Sequence, residues 1–314
     1  MTLPSVDTLD EYRAIYHREE VWRPAIREVC TRHSLPYEEC VRGPDGTHIV
    51  YFAGPESVIK LFVPLFKSDF MAERLVAQVV HGRVGLATPE VTAKGEIDGW
   101  DYLIMTRLKG EPLEHIWSDL ADDVLRRVMR EVGAFIGSLR EVSLDGLEPL
   151  ASDWEEFVLR KTVARDEELS AVLPSAGVSA STYVRTSPLA RSRGFRPALV
   201  LSDITREHLL AEQSGHSWRL TGYVDFGDAA IGPPEYELVA PGVELARGDR
   251  DLLRELLVAA GYSADQLNEE LQRRLMTCTL VHRYLTYADL VSLIPAASAA
   301  ETLDELAATV WPVC

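Results

Sequence analysis

Residues 199–210 read LVLSDITREHLL: a hydrophobic strand, an aspartate at Asp203, a histidine at His208, and two closing leucines. A strand ending in a polar loop is the plain reading of the two polar groups; a pair placed for chemistry is the other. The next apolar run, WRLTGYVDFGD (218–228), again reads as a strand with a carboxylate past it, Asp225. Two short strands that each deliver a carboxylate at their ends can focus both groups on one point. Phosphoryl transfer asks for that focus: a carboxylate orients and deprotonates the attacking hydroxyl, and oxygen or imidazole ligands hold magnesium. Magnesium prefers carboxylate and phosphate oxygens, so Asp225 is its main expected protein ligand and the His208 imidazole a less usual one.

Upstream, YEECVRGPDGTHIVYFAGPESVIKLF (37–62) breaks into short β-rich runs separated by Gly-Pro turn sequences, predicting antiparallel strands over 38–42, 47–53 and 57–63. FMAERLVAQVVHG (70–82) has helical periodicity and stops at Gly82, a C-cap residue. TPEVTAKGEIDGWDYLIMTRL (88–108) gives two further strands around Asp98-Gly99. Lys60 alternates with Ile59 and Leu61 and so projects from the opposite face of its strand. Alone it reads as an exposed residue. Glu73, at the start of the inserted helix, offers it a partner, and such a pair can hold nucleotide phosphates.

The rest of the chain is mostly helical in texture. Residues 5–34 repeat Trp22, Ile26 and Val29 at helical spacing, and 113–181 form a helical region whose clearest part is DDVLRRVMREVGAFIGSLREV (122–142). EQSGHS (212–217) reads as a turn, residues from about 235 as helices, and ASAAETLDELAA (297–308) as a solvated helix. The order predicts an α+β chain. A small antiparallel-sheet lobe with one inserted helix spans 1–107, and a larger, mostly helical lobe spans 108–314 with the catalytic loop, metal site and acceptor helices. Ligands often bind between such lobes.

Composition bounds the function. The 314 residues are 46% hydrophobic and 26% charged, as in an ordinary globular protein. No window approaches a membrane span and MTLPSVDTLDEYR lacks a signal-peptide pattern, so a cytoplasmic protein is expected. Cys30, Cys40, Cys278 and Cys314 lack metal-ligand spacing, leaving reduced thiols as the default. The net charge of −17 argues against nucleic acid as a partner and is compatible with a cationic small molecule, though acidity for solubility alone explains it equally well. Nothing demands more than a monomer or weak dimer.

Taken together, Lys60, Glu73, LSDITREHLL (201–210) and YVDFGDAAIGPPEYEL (223–238) resemble the aminoglycoside phosphotransferase family, relatives of the protein kinases, through roughly residue 245. His208 followed by two leucines, with LTGYVDFGD (220–228), is similar to the 2''-phosphotransferase subgroup. VIKLF (58–62) and RGDRDLL (247–253) resemble the hygromycin-type enzymes. The resemblance implies a two-lobed protein-kinase-like fold and a Mg2+-dependent phosphotransferase. Such an enzyme moves the γ-phosphate of ATP or GTP to a hydroxyl of an antibiotic, aminoglycoside-like compounds first and nucleoside or peptide antibiotics next. It implies Asp203 as the base, His208 and Asp225 as magnesium ligands, and Lys60 on the α- and β-phosphates with Glu73 as its partner. The connector at Met105 and Thr106 would be the purine hinge, and Asp228 matches a second acidic position.

The chain also departs from the family pattern. Leu201 stands where the family usually has a histidine that braces the loop, and only Gly43 and Gly46 mark the phosphate-covering turn. Glu235 and Glu237 replace aspartates and read as capping or bracing groups. Two other readings stay open: a nucleotide-binding pseudokinase with a regulatory role, and a metabolic small-molecule kinase. Helices around 150–190 and 270–295 are expected to build the acceptor pocket. Within VHRYLTYADL (281–290), Tyr284, Tyr287 and Asp289 are acceptor contacts or plain helix packing.

Overall fold

A computed structural model describes residues 3–173, 178–215 and 217–314. The chain divides into two compact units: Met1–Gly82 with Ala87–Lys109 and Tyr223–Asp228, and Arg83–Leu86 with Gly110–Gly222 and Ala229–Cys314.

The first unit is built on a five-stranded antiparallel sheet. Its strands are β1 (Cys40–Arg42), β2 (Ile49–Ala53), β3 (Ser57–Leu61), β4 (Val91–Ile97) and β5 (Trp100–Thr106), in the order β1-β2-β3-β5-β4. Alternation along these strands gives the sheet two apolar faces. One carries Ile49, Tyr51, Ile59, Leu61, Tyr102 and Ile104 and packs with Trp22, Ile26 and Val29 of the N-terminal helices. The other carries Leu103 and Met105 with Phe62. Lys60 pairs across with Leu103 and shares that second face, as its alternation with Ile59 and Leu61 predicts.

Helix α3 (Lys67–Val80) follows β3, starts three residues earlier than its apolar pattern shows, and ends before Gly82 at φ +69°. Glu73 therefore lies in its second turn, not at its start. The expected helix over 5–34 is two helices, α1 (Leu9–Ile15) and α2 (Glu19–His33). Thr8 and Glu11 cap α1 reciprocally, and the Trp22 indole N–H donates to the Tyr16 carbonyl (2.9 Å), fixing the break. The expected strand from 38 begins only at Cys40, because Tyr37–Glu39 turn as a 3-10 segment.

In the second unit, β6 (Glu111–Pro112) precedes α4 (Asp122–Leu139), α5 (Trp154–Val172) and α6 (Ala180–Arg185). The helical region expected over 113–181 is thus interrupted, and its residues 174–177 lie outside the described ones. Four short strands follow: β7 (Ala198–Val200), β8 (Leu209–Ser214), β9 (Ser217–Tyr223) and β10 (Ala230–Gly232). They do not form the single strand pair expected. β7 pairs with β10, and β8 lies between β6 and β9. The turn expected over 212–217 is narrower, since β8 continues to Ser214; its His216 lies outside the described residues.

Beyond β10 come α7 (Val239–Pro241), a π-helical turn (Gly242–Ala246), α8 (Arg250–Ala259), α9 (Glu269–Leu280), α10 (Tyr287–Leu293) and α11 (Leu303–Val310). α11 buries Leu303, Leu306, Ala307 and Val310, so the tail is packed rather than solvated. α4 and α8 cross closely at Gly133, where a Cβ would lie 2.3 Å from the Leu256 carbonyl oxygen and 2.7 Å from the Ala259 Cβ.

Candidate active site

In the first unit, Lys60 is 5% exposed and Glu73 1%. The Lys60 Nζ lies 2.9 Å from a Glu73 carboxylate oxygen and 3.0 Å from Asp225 Oδ1. An ammonium buried without partners costs several kcal/mol, so the exposed-residue reading of Lys60 fails. Burial alone would lower the lysine pKa; the carboxylates of Asp225 and Glu73 more than reverse this and hold the amine charged. Burial pushes the Glu73 carboxyl above the ordinary range against the opposing pull of Lys60.

Glu73 also accepts the Phe226 backbone N–H (3.1 Å), and the Tyr223 N–H donates to the Ala87 carbonyl (2.9 Å). The segment Tyr223–Asp228 is thereby tied to α3 and the sheet. Asp225 adopts φ +75°, in the left-handed region that aspartate tolerates better than most residues. Its side chain is 40% exposed.

Sequence reasoning missed His48, which is buried beside this cluster. It accepts the Val63 N–H at Nδ1 (3.3 Å), bonds Asp69 through Nε2 (3.2 Å) and packs on the Phe62 ring (4.6 Å between centroids). Its burial depends on contacts distant in the chain, so local sequence carries no signal for it. Of the two expected hinge residues, Met105 is buried with Phe62 and Leu103. The Thr106 N–H donates to the Glu90 carbonyl (2.9 Å), and its Oγ1 accepts the Glu90 N–H (2.9 Å).

In the second unit, Asp203 and His208 stand together on the loop after β7. The His208 Nδ1 lies 3.0 Å from the Asp203 carbonyl oxygen and 3.3 Å from its carboxylate. With the proton on Nδ1, the imidazole lone pair lies on Nε2, the form that ligates a metal. Ser202, immediately before Asp203, holds φ +70° and is buried. Such a non-glycine residue stores on the order of 1–3 kcal/mol of strain and persists only when its surroundings hold it.

Two buried side chains do so. The Glu237 carboxylate accepts the backbone N–H groups of Leu201 and Ser202, and His282 donates to the Ser202 carbonyl (3.2 Å). Burial pushes the Glu237 carboxyl up to about 8. Glu237 is therefore a brace, as its place after the Gly-Pro-Pro turn suggests, and Glu235 binds Arg274 through two N–H donors.

A cavity of about 300 Å³ opens in the same unit, lined by Asp203, Glu244, Tyr284, Asp289 and apolar groups that include Val243 and Leu285. Tyr287 lines a different and much smaller crevice with Arg165. Among the described residues, no cluster of three or more His, Cys, Asp or Glu side chains forms a metal cage. Nucleotide-bound magnesium takes one or two protein ligands and fills its shell with phosphate oxygens and water. The half-exposed Asp225 carboxylate fits that demand.

The first unit thus carries a buried lysine–carboxylate cluster under its sheet, and the second an aspartate–histidine loop beside a cavity. A family model, the phosphotransferase enzyme family, matches residues 50–275, and the chain belongs to that family. Viomycin phosphotransferase from Streptomyces vinaceus is 27% identical over 197 residues, 57% of this chain and 63% of that protein, so the chain spans under two thirds of this curated relative. The wild-type aminoglycoside 2'-phosphotransferase-IIIa in complex with GDP superposes with a TM-score of 0.69 at 17% identity, covering 90% of this chain and 99% of that one. The GDP and kanamycin complex of APH(2")-IIia gives 0.64 at 19%, covering 82% and 89%. Aminoglycoside phosphotransferase APH(4)-Ia gives 0.55 at 16%, covering 91% and 98%. The fold is the kinase-like fold of the aminoglycoside phosphotransferases.

Proposed function

We propose that the chain transfers the γ-phosphate of ATP or GTP to a hydroxyl of an antibiotic, conferring resistance or self-protection. One observation carries the reading: Asp203 forms part of the wall of a cavity large enough for a small-molecule acceptor. Lys60, held by Glu73, takes the α- and β-phosphates. Asp225 and His208 hold Mg2+, which when bound offsets charge on the phosphate oxygens. Met105 and Thr106 border the purine. Asp203 orients the acceptor hydroxyl and takes its proton as the phosphoryl group arrives. In this reading residues 1–107 serve the nucleotide, and 108–314 supply the catalytic loop, the metal site and the acceptor helices.

The acceptor is a hydroxylated cation in this reading. Glu244 and Asp289 add negative charge to the wall that Asp203 shares, and the net charge of −17 has the matching sign. Kanamycin bound to APH(2")-IIia and the name of the viomycin enzyme support antibiotics as the first class to try. The test is a panel of aminoglycoside, nucleoside and peptide antibiotics incubated with purified protein, Mg2+ and ATP or GTP, read by mass spectrometry. A gain of one phosphoryl group on at least one antibiotic is expected. Transfer to none of them, with transfer to a metabolic alcohol, moves the protein to metabolic kinases.

Leu201 favours a second reading, a pseudokinase that binds nucleotide without turnover. The Glu237 and His282 bonds to this loop support the enzymatic reading over it.

A further inference from the structure

Ser202 is held from both sides, and the two holds come from different elements. Its N–H is taken by Glu237, from the turn before α7. Its carbonyl is taken by His282, just past the end of α9. The Leu285 N–H donates to the His282 Nδ1 (3.3 Å), so the ring proton sits on Nε2, the atom facing Ser202. The ring is 5% exposed and stacks on Tyr236 (5.2 Å, 23°), whose hydroxyl accepts the Arg283 N–H (2.8 Å). Burial holds the His282 pKa down to about 4, so the ring keeps its single proton through the neutral range.

One ring therefore bonds two backbone segments, the residue before Asp203 and the turn 282–285. Through Nε2 it fixes the carbonyl of the strained residue that precedes Asp203. Through Nδ1 it fixes the turn 282–285, whose Tyr284 and Leu285 line the cavity shared with Asp203. We infer that His282 is a positioning residue that aims the Asp203 carboxylate and sets the acceptor wall, each through a separate ring nitrogen. The inference rests on the phosphotransfer reading.

Two substitutions separate the functions. Asparagine places its amide near the Nδ1 position and glutamine near the Nε2 position, so each variant keeps one bond. His282→Asn retains an acceptor for Leu285 and loses the donor to Ser202. Its kcat is expected to fall about 10- to 100-fold, as a misplaced catalytic group does, with acceptor KM unchanged. His282→Gln retains the donor to Ser202, and its kcat stays near wild type while acceptor KM rises. Nucleotide affinity is expected to hold in both.

A folded His282→Asn with wild-type kcat, or the same kcat and KM changes in both variants, overturns the inference. Should His282→Asn fail to fold, His282→Gln decides: preserved kcat supports the inference and a matching loss of kcat overturns it. If the wild-type chain phosphorylates nothing, the phosphotransfer reading falls by that result alone. Hydrogen exchange at the Asp203–Thr205 amides then decides, with faster exchange in His282→Asn than in His282→Gln expected and equal rates overturning the inference.

Discussion

The clusters around Lys60 and around Asp203 are stabilised in opposite ways. Lys60 is enclosed by two carboxylates at 2.9 and 3.0 Å, and one of them is almost wholly buried. The loop before Asp203 is held instead by a buried acid whose proton affinity is raised and by a histidine whose proton affinity is lowered. The first arrangement keeps a cation charged in a dry place. The second keeps its two supports neutral near pH 7. Charge is concentrated in the buried cluster around Lys60 and lowered in the two side chains that hold the loop before Asp203.

Three changes probe this contrast. The largest effect is expected at Asp203. Replacing Asp203 with Asn should lower kcat on the order of 10² to 10⁴ and leave nucleotide Kd within about twofold; unchanged turnover in a steady-state assay would remove the base from this loop. Next is Lys60→Met, which leaves Glu73 and Asp225 without their cation. Breaking a buried pair from one side costs about 3–5 kcal/mol, read as a lower urea midpoint together with lost nucleotide binding. A stability change near zero would show that the cluster is not charged as described.

The smallest effect is a slope. The Glu237 carboxyl binds its proton up to about pH 8 when folded and ionises near the ordinary glutamate value of 4.5 when unfolded. The native state thus holds more protons across that window, so its stabilising share is complete below about pH 4.5 and is lost as pH rises toward 8. Glu73 adds a decline of the same sign. Glu237→Gln should make Tm fall less steeply than wild type between pH 5 and 8 in a thermal-shift series. A slope unchanged from wild type would mean that Glu237 is ionised in its pocket.

Local pattern carried part of this and no more. The two-residue alternation around Lys60 and the spacing to an inserted helix were enough to anticipate its bond to Glu73, because both partners sit on regular elements. The loop carrying Asp203 and His208 was legible from the apolar run before Asp203 and from the motif in which His208 precedes two leucines. β8 was missed because Glu212, Gln213 and Ser214 give its outer half the texture of a turn, while its pairing with β6 comes from nearly a hundred residues away. His48 and His282 gave no signal at all. Their burial is imposed by partners distant in sequence, and a lone histidine next to apolar residues looks the same whether or not it braces a loop. Glu235 and Glu237 were read alike as capping or bracing groups, and the target of Glu237 could be named only once the backbone of Leu201 and Ser202 lay beside it.

The close crossing at Gly133 has a practical corollary. The α4 and α8 backbones approach so tightly that one hydrogen atom marks the limit of what fits between them. Adding a single methyl group there offers a graded way to lower the temperature at which the fold survives, by an overpacking cost of about 1–3 kcal/mol. A heat-sensitive form of the protein could thus be made with Lys60, Asp203, His208 and Asp225 all unchanged.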